Sequence, residues 1–173
     1  FTERAPNAVE LFANGPHHAL EQFEVGDSNM NVETSYNFSL GYSYNEGLDN
    51  LKIETYYNYI NDFIAADRDG TTTAVEGEDM NNIFFTQYNA LFTGLEVSGQ
   101  YAFAKISDFD IISNLMVDFL KGYRTSNDKA LSRIPQTKMN FGIQVMNEDW
   151  DANLAYYHYF DKDFTGPFQT RTG

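Results

Sequence analysis

The chain has 173 residues, no cysteine, and a formal net charge of −14 from 25 acidic and 11 basic residues. That balance leaves no basic patch of the kind that grips nucleic acid. It also excludes a disulfide framework and a thiolate metal site, and no apolar run reaches the roughly 18 residues that mark a membrane-crossing helix.

Residues 1–33 show no sustained period and read as a loop region. Phe1-Thr2-Glu3-Arg4 lacks the basic character of a signal peptide. From residue 35 the dominant period is two. Tyr36, Phe38, Leu40, Tyr42 and Tyr44 alternate with Asn37, Ser39, Gly41 and Ser43, which predicts a strand over 35–45 with one greasy face. A strand over 51–64 places Leu51, Ile53, Tyr57, Tyr59 and Phe63 on one face and Lys52, Glu54, Asn58 and Asp62 on the other. A long polar loop is expected over 65–82, where Asp67, Asp69, Glu76, Glu78 and Asp79 accumulate. Further alternating strands are predicted over 85–104 (Leu95, Val97 and Tyr101 against Glu96, Ser98 and Gln100) and over 109–123 (Leu115, Val117 and Phe119 against Asn114, Met116 and Asp118). A loop over 124–134 leads to strands over 137–147 (Phe141 and Ile143 against Asn140 and Gln144) and 150–160 (Leu154 and Tyr156 against Asn153 and Ala155), and 161–173 is a polar tail.

Three features favour a membrane β-barrel over a soluble sheet. The strands are long, whereas globular strands cluster near about 5–6 residues and a tilted strand needs about 9–11 to cross the hydrocarbon. The 15 Phe and 12 Tyr gather toward strand ends, as in the aromatic girdles of outer-membrane barrels. Short and long connections alternate, as short periplasmic turns and long extracellular loops do. The expected fold is therefore all-β, an antiparallel up-and-down meander of about six strands between residues 35 and 160, part of a large transmembrane β-barrel in a bacterial outer membrane. Residues 1–33, 65–82, 124–134 and 161–173 fall on the extracellular side. Six strands are fewer than the roughly 8 of the smallest barrels, and an open edge is not tolerated in lipid, so residues 1–173 read as a partial barrel domain. The alternative is a soluble β-sandwich binding module, which would bury the apolar faces of two sheets against each other.

Several motifs carry a family resemblance. Arg4-Ala5-Pro6-Asn7-Ala8-Val9-Glu10-Leu11-Phe12-Ala13 resembles the R-A-P-x-x-x-E-L-F/Y-A segment of TonB-dependent outer-membrane receptors. Phe23 to Met30 and Glu33 to Asn37 resemble the E-x-G-N-x-x-L-x-P-E-x-S stretch that follows it, with Val32 in place of proline and Ser39 where an acidic residue is common. Tyr56 to Ile64 is similar to the strand Y-x-N-x-I-x-D-x-I, Gly94-Leu95-Glu96 to G-x-E with its Glu facing the lumen, and Arg133-Ile134-Pro135 to the R-I/V-P that starts another strand. The resemblance implies a barrel of about 22 strands around an N-terminal plug. On that comparison the plug, its box for the energising inner-membrane protein, and the terminal strands lie outside these residues. Ala13 to Ala19, Phe23 to Asp27 and Tyr156 to Phe160 are further similar to the zinc-uptake branch of the family. Haem and ferric siderophores are the alternative cargoes of the same family.

The candidate ligand residues follow. His17 and His18 form the sole His pair, and with Glu21, Glu24 and Asp27 they make a plausible cation-capture surface, since imidazole and carboxylate are ordinary Zn²⁺ donors. Adjacent residues of an extended chain point to opposite sides, so one His at most serves a given ion unless the backbone turns near Pro16. The competing reading is a solvated loop pair. His158, among Tyr156, Tyr157 and Tyr159, reads as an interfacial residue rather than a ligand. Glu54, Glu96 and Asn140 are expected to face the lumen, with Asp62, Asp110 and Asp118 beside them; solvating the barrel interior is the plainer role. The acidic stretch from Asp67 to Asp79 does not fit a calcium-loop spacing. No G-x-S-x-G, H-E-x-x-H or phosphate-loop motif occurs, so no enzyme activity and no required cofactor are expected. Zinc enters as transported ligand. The expected partners are membrane lipid, the small ligand and the inner-membrane energy-transducing complex, with no nucleic acid.

Overall fold

The computed structural model describes residues 1–161. Their order is β1 (Thr2–Arg4), α1 (Ala8–Phe12), β2 (Asn14–His17), a 3-10 turn (His18–Leu20), β3 (Gln22–Val25), β4 (Glu33–Glu46), β5 (Asp49–Val75), β6 (Glu78–Ile106), β7 (Phe109–Arg124), β8 (Lys138–Met146) and β9 (Asp151–Tyr159). The described strands belong to one sheet. Strands β4 to β9 pair antiparallel with neighbours in sequence order, and β1 adds to the free edge of β4. This is the expected meander, and it is not a sandwich.

Register explains why the alternation reads so cleanly. Directly opposed residues of an antiparallel pair share a face. The row Tyr44, Leu51, Gly99, Leu115, Phe141, Tyr156 crosses all six strands. The next row, Tyr42, Ile53, Val97, Val117, Met139, His158, lies on the same side. The other side carries Gly41, Glu54, Glu96, Asp118, Lys138 and Tyr159 in a single row. Tyr36, Phe38, Leu40, Leu95, Val97, Phe141, Ile143 and Leu154 thus share the apolar face, and Asn37, Glu96, Asn140 and Asn153 the polar one. The apolar face is bare: Phe38 keeps 66% of its surface exposed and Leu154 80%. A water-soluble protein does not leave so continuous a patch uncovered.

The two ends of the sheet differ. At the near end the connections are tight. Gly47, with φ of +57°, and Leu48 join β4 to β5, Ser107 and Asp108 join β6 to β7, and Asn147 closes the β8–β9 turn by accepting from the Asp149 and Trp150 amides at 3.0 and 2.8 Å. The far end carries β1 to β3, α1, the β5–β6 hairpin and residues 125–137. Most of the buried side chains are there, among them Ile60, Ile64, Met80, Ile83 and Leu131.

Three expectations are corrected. The stretch 65–82 is no loop: β5 and β6 run through it as a paired ribbon closed by the two residues Glu76 and Gly77, both at positive φ (52° and 92°). Alternation and β-branched Thr71 to Thr73 outweigh its acidic side chains, which solvent accommodates on an exposed ribbon. Second, Asp62 sits in a bulge at φ 53°, where register shifts between Ile60 and Phe63. One extra residue reverses strand parity, so Phe63 leaves the apolar face and stacks on the polar side against Tyr88 and Phe92, at centroid distances of 5.9 and 5.5 Å. Third, Arg133-Ile134-Pro135 does not itself start a strand; β8 begins at Lys138, and Ile134 lies against Gly122. The polar tail 161–173 lies, beyond Asp161, outside the described residues.

Candidate functional site

The first 33 residues fold into a cap at the far end. Asn7 caps α1: its Oδ1 accepts from the Val9 and Glu10 amides at 2.9 and 3.0 Å, and Glu10 Oε2 accepts from the Asn7 amide at 2.8 Å. This is the reciprocal capping box. The Arg4 guanidinium then bridges two carboxylates, donating to both oxygens of Glu10 at 2.9 and 3.0 Å and to Glu33 at 3.2 Å. Its pKa is raised, first by the Glu33 hydrogen bond, with burial working the other way and Glu10 adding to the rise. Glu33 Oε2 also accepts from the Ile64 amide at 2.9 Å, just past the β5 bulge. Gln87 completes the tie: its Oε1 accepts from the Asn31 amide and its Nε2 donates to the Asn31 and Asp62 carbonyls. Chain reversal at Gly26 brings backbone against backbone, with a Gly26 N–H to Ala13 O bond of 2.7 Å and an Asp27 N–H to Glu10 O bond of 2.9 Å.

β2 and β3 project from this cap as a hairpin, and β3 lies parallel to β6, Gln22–Val25 alongside Asn81–Phe84. His17 ends β2 and His18 opens the 3-10 turn, both exposed. Glu21 follows at φ 52° as the turn's cap. Glu24 opposes Gly15 within the hairpin. Asp27 Oδ1 accepts from the Asn29 amide and side chain. Among the described residues no group of three or more His, Asp or Glu converges as a metal site. His158 stacks on Tyr156 and meets the Phe160 ring edge-on on the apolar face.

The polar face carries a row of three carboxylates, Glu54, Glu96 and Asp118, on adjacent strands. Like charges so opposed repel. Lysines offset this at both ends, Lys52 at 3.0 Å from Glu54 and Lys138 at 2.9 Å from Asp118. Asn140 occupies the next row, opposite Met116 and Tyr157. Glycines make room for aromatic rings here. A Cβ on Gly94 would fall within the Tyr56 ring, and one on Gly122 would press on Phe92. The G-x-E spacing therefore has a steric reading: the glycine admits a ring and the glutamate stands one rung away on the same face.

A cluster that sequence reasoning missed lies higher on this face. Arg124 forms an ion pair with Asp67, and its guanidinium lies 3.8 Å from the Tyr88 ring centroid. Thr86 donates to Asp67 at 3.1 Å. Burial, and then the Asp67 charge, push the Tyr88 phenol up to about 12, with Arg124 opposing. In the sequence Asp67 reads as solvated loop. No local signal marks it, because its partner is 57 residues away.

Comparison with known proteins agrees with this geometry. Residues 2–173 match the family model described as TonB dependent receptor-like, beta-barrel. The chain belongs to the TonB-dependent receptor β-barrel family. This is a family of outer-membrane receptors and transporters, not of enzymes. Among solved structures, the barrel resembles the copper transporter OprC, with 21% identity, a TM-score of 0.68, and 95% of this chain matching 24% of that one. It also resembles the siderophore receptor PirA from Acinetobacter baumannii, with 21% identity, a TM-score of 0.58, and 92% of this chain matching 25% of that one. The chain spans about a quarter of the length of these structures, and at such identity the likeness is one of fold.

Proposed function

We propose that the chain forms part of the wall and outer entrance of an outer-membrane receptor that imports a scarce nutrient with energy transduced from the inner membrane, and that the nutrient is zinc. The observation that carries the transport reading is the two-faced sheet: one continuous apolar face for lipid and one polar face, with Glu54, Glu96 and Asn140, for a water-filled lumen and the plug within it. On this reading the near-end turns are periplasmic and the far-end cap is extracellular. Residues 1–33 and the β5–β6 ribbon then stand where an incoming ligand first meets the protein.

The zinc reading is supported by His17 and His18, exposed at the tip of the cap hairpin with Glu21 beside them. Glu24 and Asp27 belong to the same segment and are the further candidate donors. A first shell completed by water suits a site that must release its ion. The resemblance of the cap and of Tyr156 to Phe160 to the zinc-uptake branch points the same way. Capture by imidazole should weaken on acidification, because a protonated ring has no lone pair to give. The test is zinc-limited growth and zinc affinity of the full-length receptor carrying His17→Ala and His18→Ala together. Loss of both, with unchanged outer-membrane levels, is expected. Unchanged uptake would overturn the zinc assignment and leave haem or a ferric siderophore as the cargo to assay next.

A further inference from the structure

The apolar face is not uniformly filled. Near its short-turn end a furrow of about 480 Å³ opens among Tyr44, Leu51, Gly99, Tyr101, Leu115 and Phe141. Its floor exists because Gly99 brings no side chain to a row otherwise built of Tyr44, Leu51, Leu115 and Phe141. Ser113, opposite Tyr101, extends the gap by one small residue. A Cβ on Gly99 would meet Asn50 O at 3.2 Å and Leu51 Cδ1 at 3.4 Å, so a side chain there would enter the furrow only with a shift of a few tenths of an ångström. Elsewhere the face presents mostly apolar and aromatic side chains, with Thr55, Thr93 and Lys121 among them.

We propose that this furrow is a binding site for one phospholipid of the membrane's periplasmic leaflet, holding an acyl chain against Gly99 and favouring a headgroup with a primary ammonium. The occupant follows from three observations. The furrow is continuous with the face that meets lipid, so hydrocarbon is the phase that fills it. It lies beside Tyr44 and Tyr101, which are 42% and 60% exposed and placed like an interfacial aromatic belt. Its mouth is acidic: Glu46 is bonded by the Tyr44 hydroxyl, and Asp49 lines the furrow while accepting from the Ala102 amide at 2.8 Å. Carboxylates there attract an ammonium and repel an anionic glycerol headgroup. The site rests on the membrane reading above, because the same furrow in water would have no reason to hold a lipid.

The experiment is native mass spectrometry of the full-length receptor in mild detergent, after delipidation and titration with phosphatidylethanolamine or phosphatidylglycerol. One tightly retained phosphatidylethanolamine is expected. Gly99→Leu should weaken its retention by about fifteenfold, since two displaced methylenes are worth roughly fourfold each. Ser113→Phe, which narrows the furrow from a different strand, should act in the same direction and guards against a folding defect of the first variant. Glu46→Lys should reverse the headgroup preference without abolishing lipid retention. Equal retention in the wild-type protein and both furrow variants would overturn the site, as would a headgroup preference that Glu46→Lys leaves unchanged. Failure of the membrane reading is seen separately, as a wild-type protein that fractionates away from the outer membrane.

Discussion

Gly26 and Gly94 both sit where a Cβ has no room, yet the two sites differ in what would have to move. A Cβ at Gly26 would lie 2.7 Å from Leu11 C and Phe12 N and 2.8 Å from Glu10 O, all backbone atoms of the α1 turn. None can yield without opening the Gly26–Ala13 and Asp27–Glu10 hydrogen bonds. At Gly94 the obstacle is one Tyr56 ring, which can swing off the polar face. Gly26→Ala should therefore destabilise the cap by about 2 kcal/mol or more, and Gly94→Ala by roughly 1 kcal/mol, within the range of overpacking costs. Limited proteolysis of residues 1–33 in the full-length receptor reads the first, and the temperature of heat-modified gel mobility reads the second. Combined with Tyr56→Ala, Gly94→Ala should become nearly neutral; a cost as large as in the wild-type background would refute the ring-on-glycine account. Residues like these were legible as motif letters, Arg4, Glu10, Gly26 and Gly94 among them. Their reasons were not, because Arg4 meets Glu33 and Gly26 meets Leu11 only once the chain has folded back.

Strand existence and order were legible at the level of elements because a period of two, kept up over nine or more residues, fits a strand and does not fit a helix. What misled was charge. Asp67, Asp69, Glu78 and Asp79 look like loop, but an exposed ribbon solvates them as well as a loop does, and the Glu76-Gly77 turn sits in their midst. The β5 bulge was equally hidden, since nothing in Ile60 to Phe63 says that one residue will be skipped. The Arg124–Asp67 pair ties that ribbon to β7, and Tyr88 beneath it reports its state. A phenol that titrates near 10 in the unfolded chain and at about 12 in the folded one contributes stability that is fully present below pH of about 10. That contribution is lost as pH rises toward 12, because the unfolded state releases its proton first. In ultraviolet titration of tyrosinate, Tyr88→Phe should remove one late-titrating phenol from the wild-type profile. Asp67→Ala should bring that phenol to lower pH, since a neighbouring anion is gone and Arg124 remains. A profile that Tyr88→Phe leaves with as many late phenols as the wild type, or that Asp67→Ala leaves unshifted, would show that the cluster is not formed.

For the whole molecule, function depends on which face meets lipid, and this was legible because the rows from Tyr44 to Tyr156 and from Tyr42 to His158 are apolar or aromatic, whereas Glu54, Glu96, Asp118 and Lys138 share the opposite side. The cargo was not legible in the same way: it depends on side chains at loop tips, which no periodicity constrains. The adjacent residues Leu95 and Glu96 test the sidedness at its sharpest, since a one-residue error in register would exchange them. Leu95 stands on the apolar face between Thr55 and Phe119, and Glu96 on the polar face between Glu54 and Asp118. An arginine on the lipid face near mid-membrane costs roughly 2–4 kcal/mol. The same side chain at 96 meets water and two flanking carboxylates whose mutual repulsion it relieves, for a gain of up to about 1 kcal/mol. Leu95→Arg should therefore lower the unfolding midpoint of the full-length receptor in vesicles and reduce its yield in the outer membrane, while Glu96→Arg should leave both intact or raise the midpoint. The reverse pattern would place Glu96 against lipid and invert the barrel wall. Equal, small effects at both positions would mean that neither face meets a membrane, and the transport reading would fall with it.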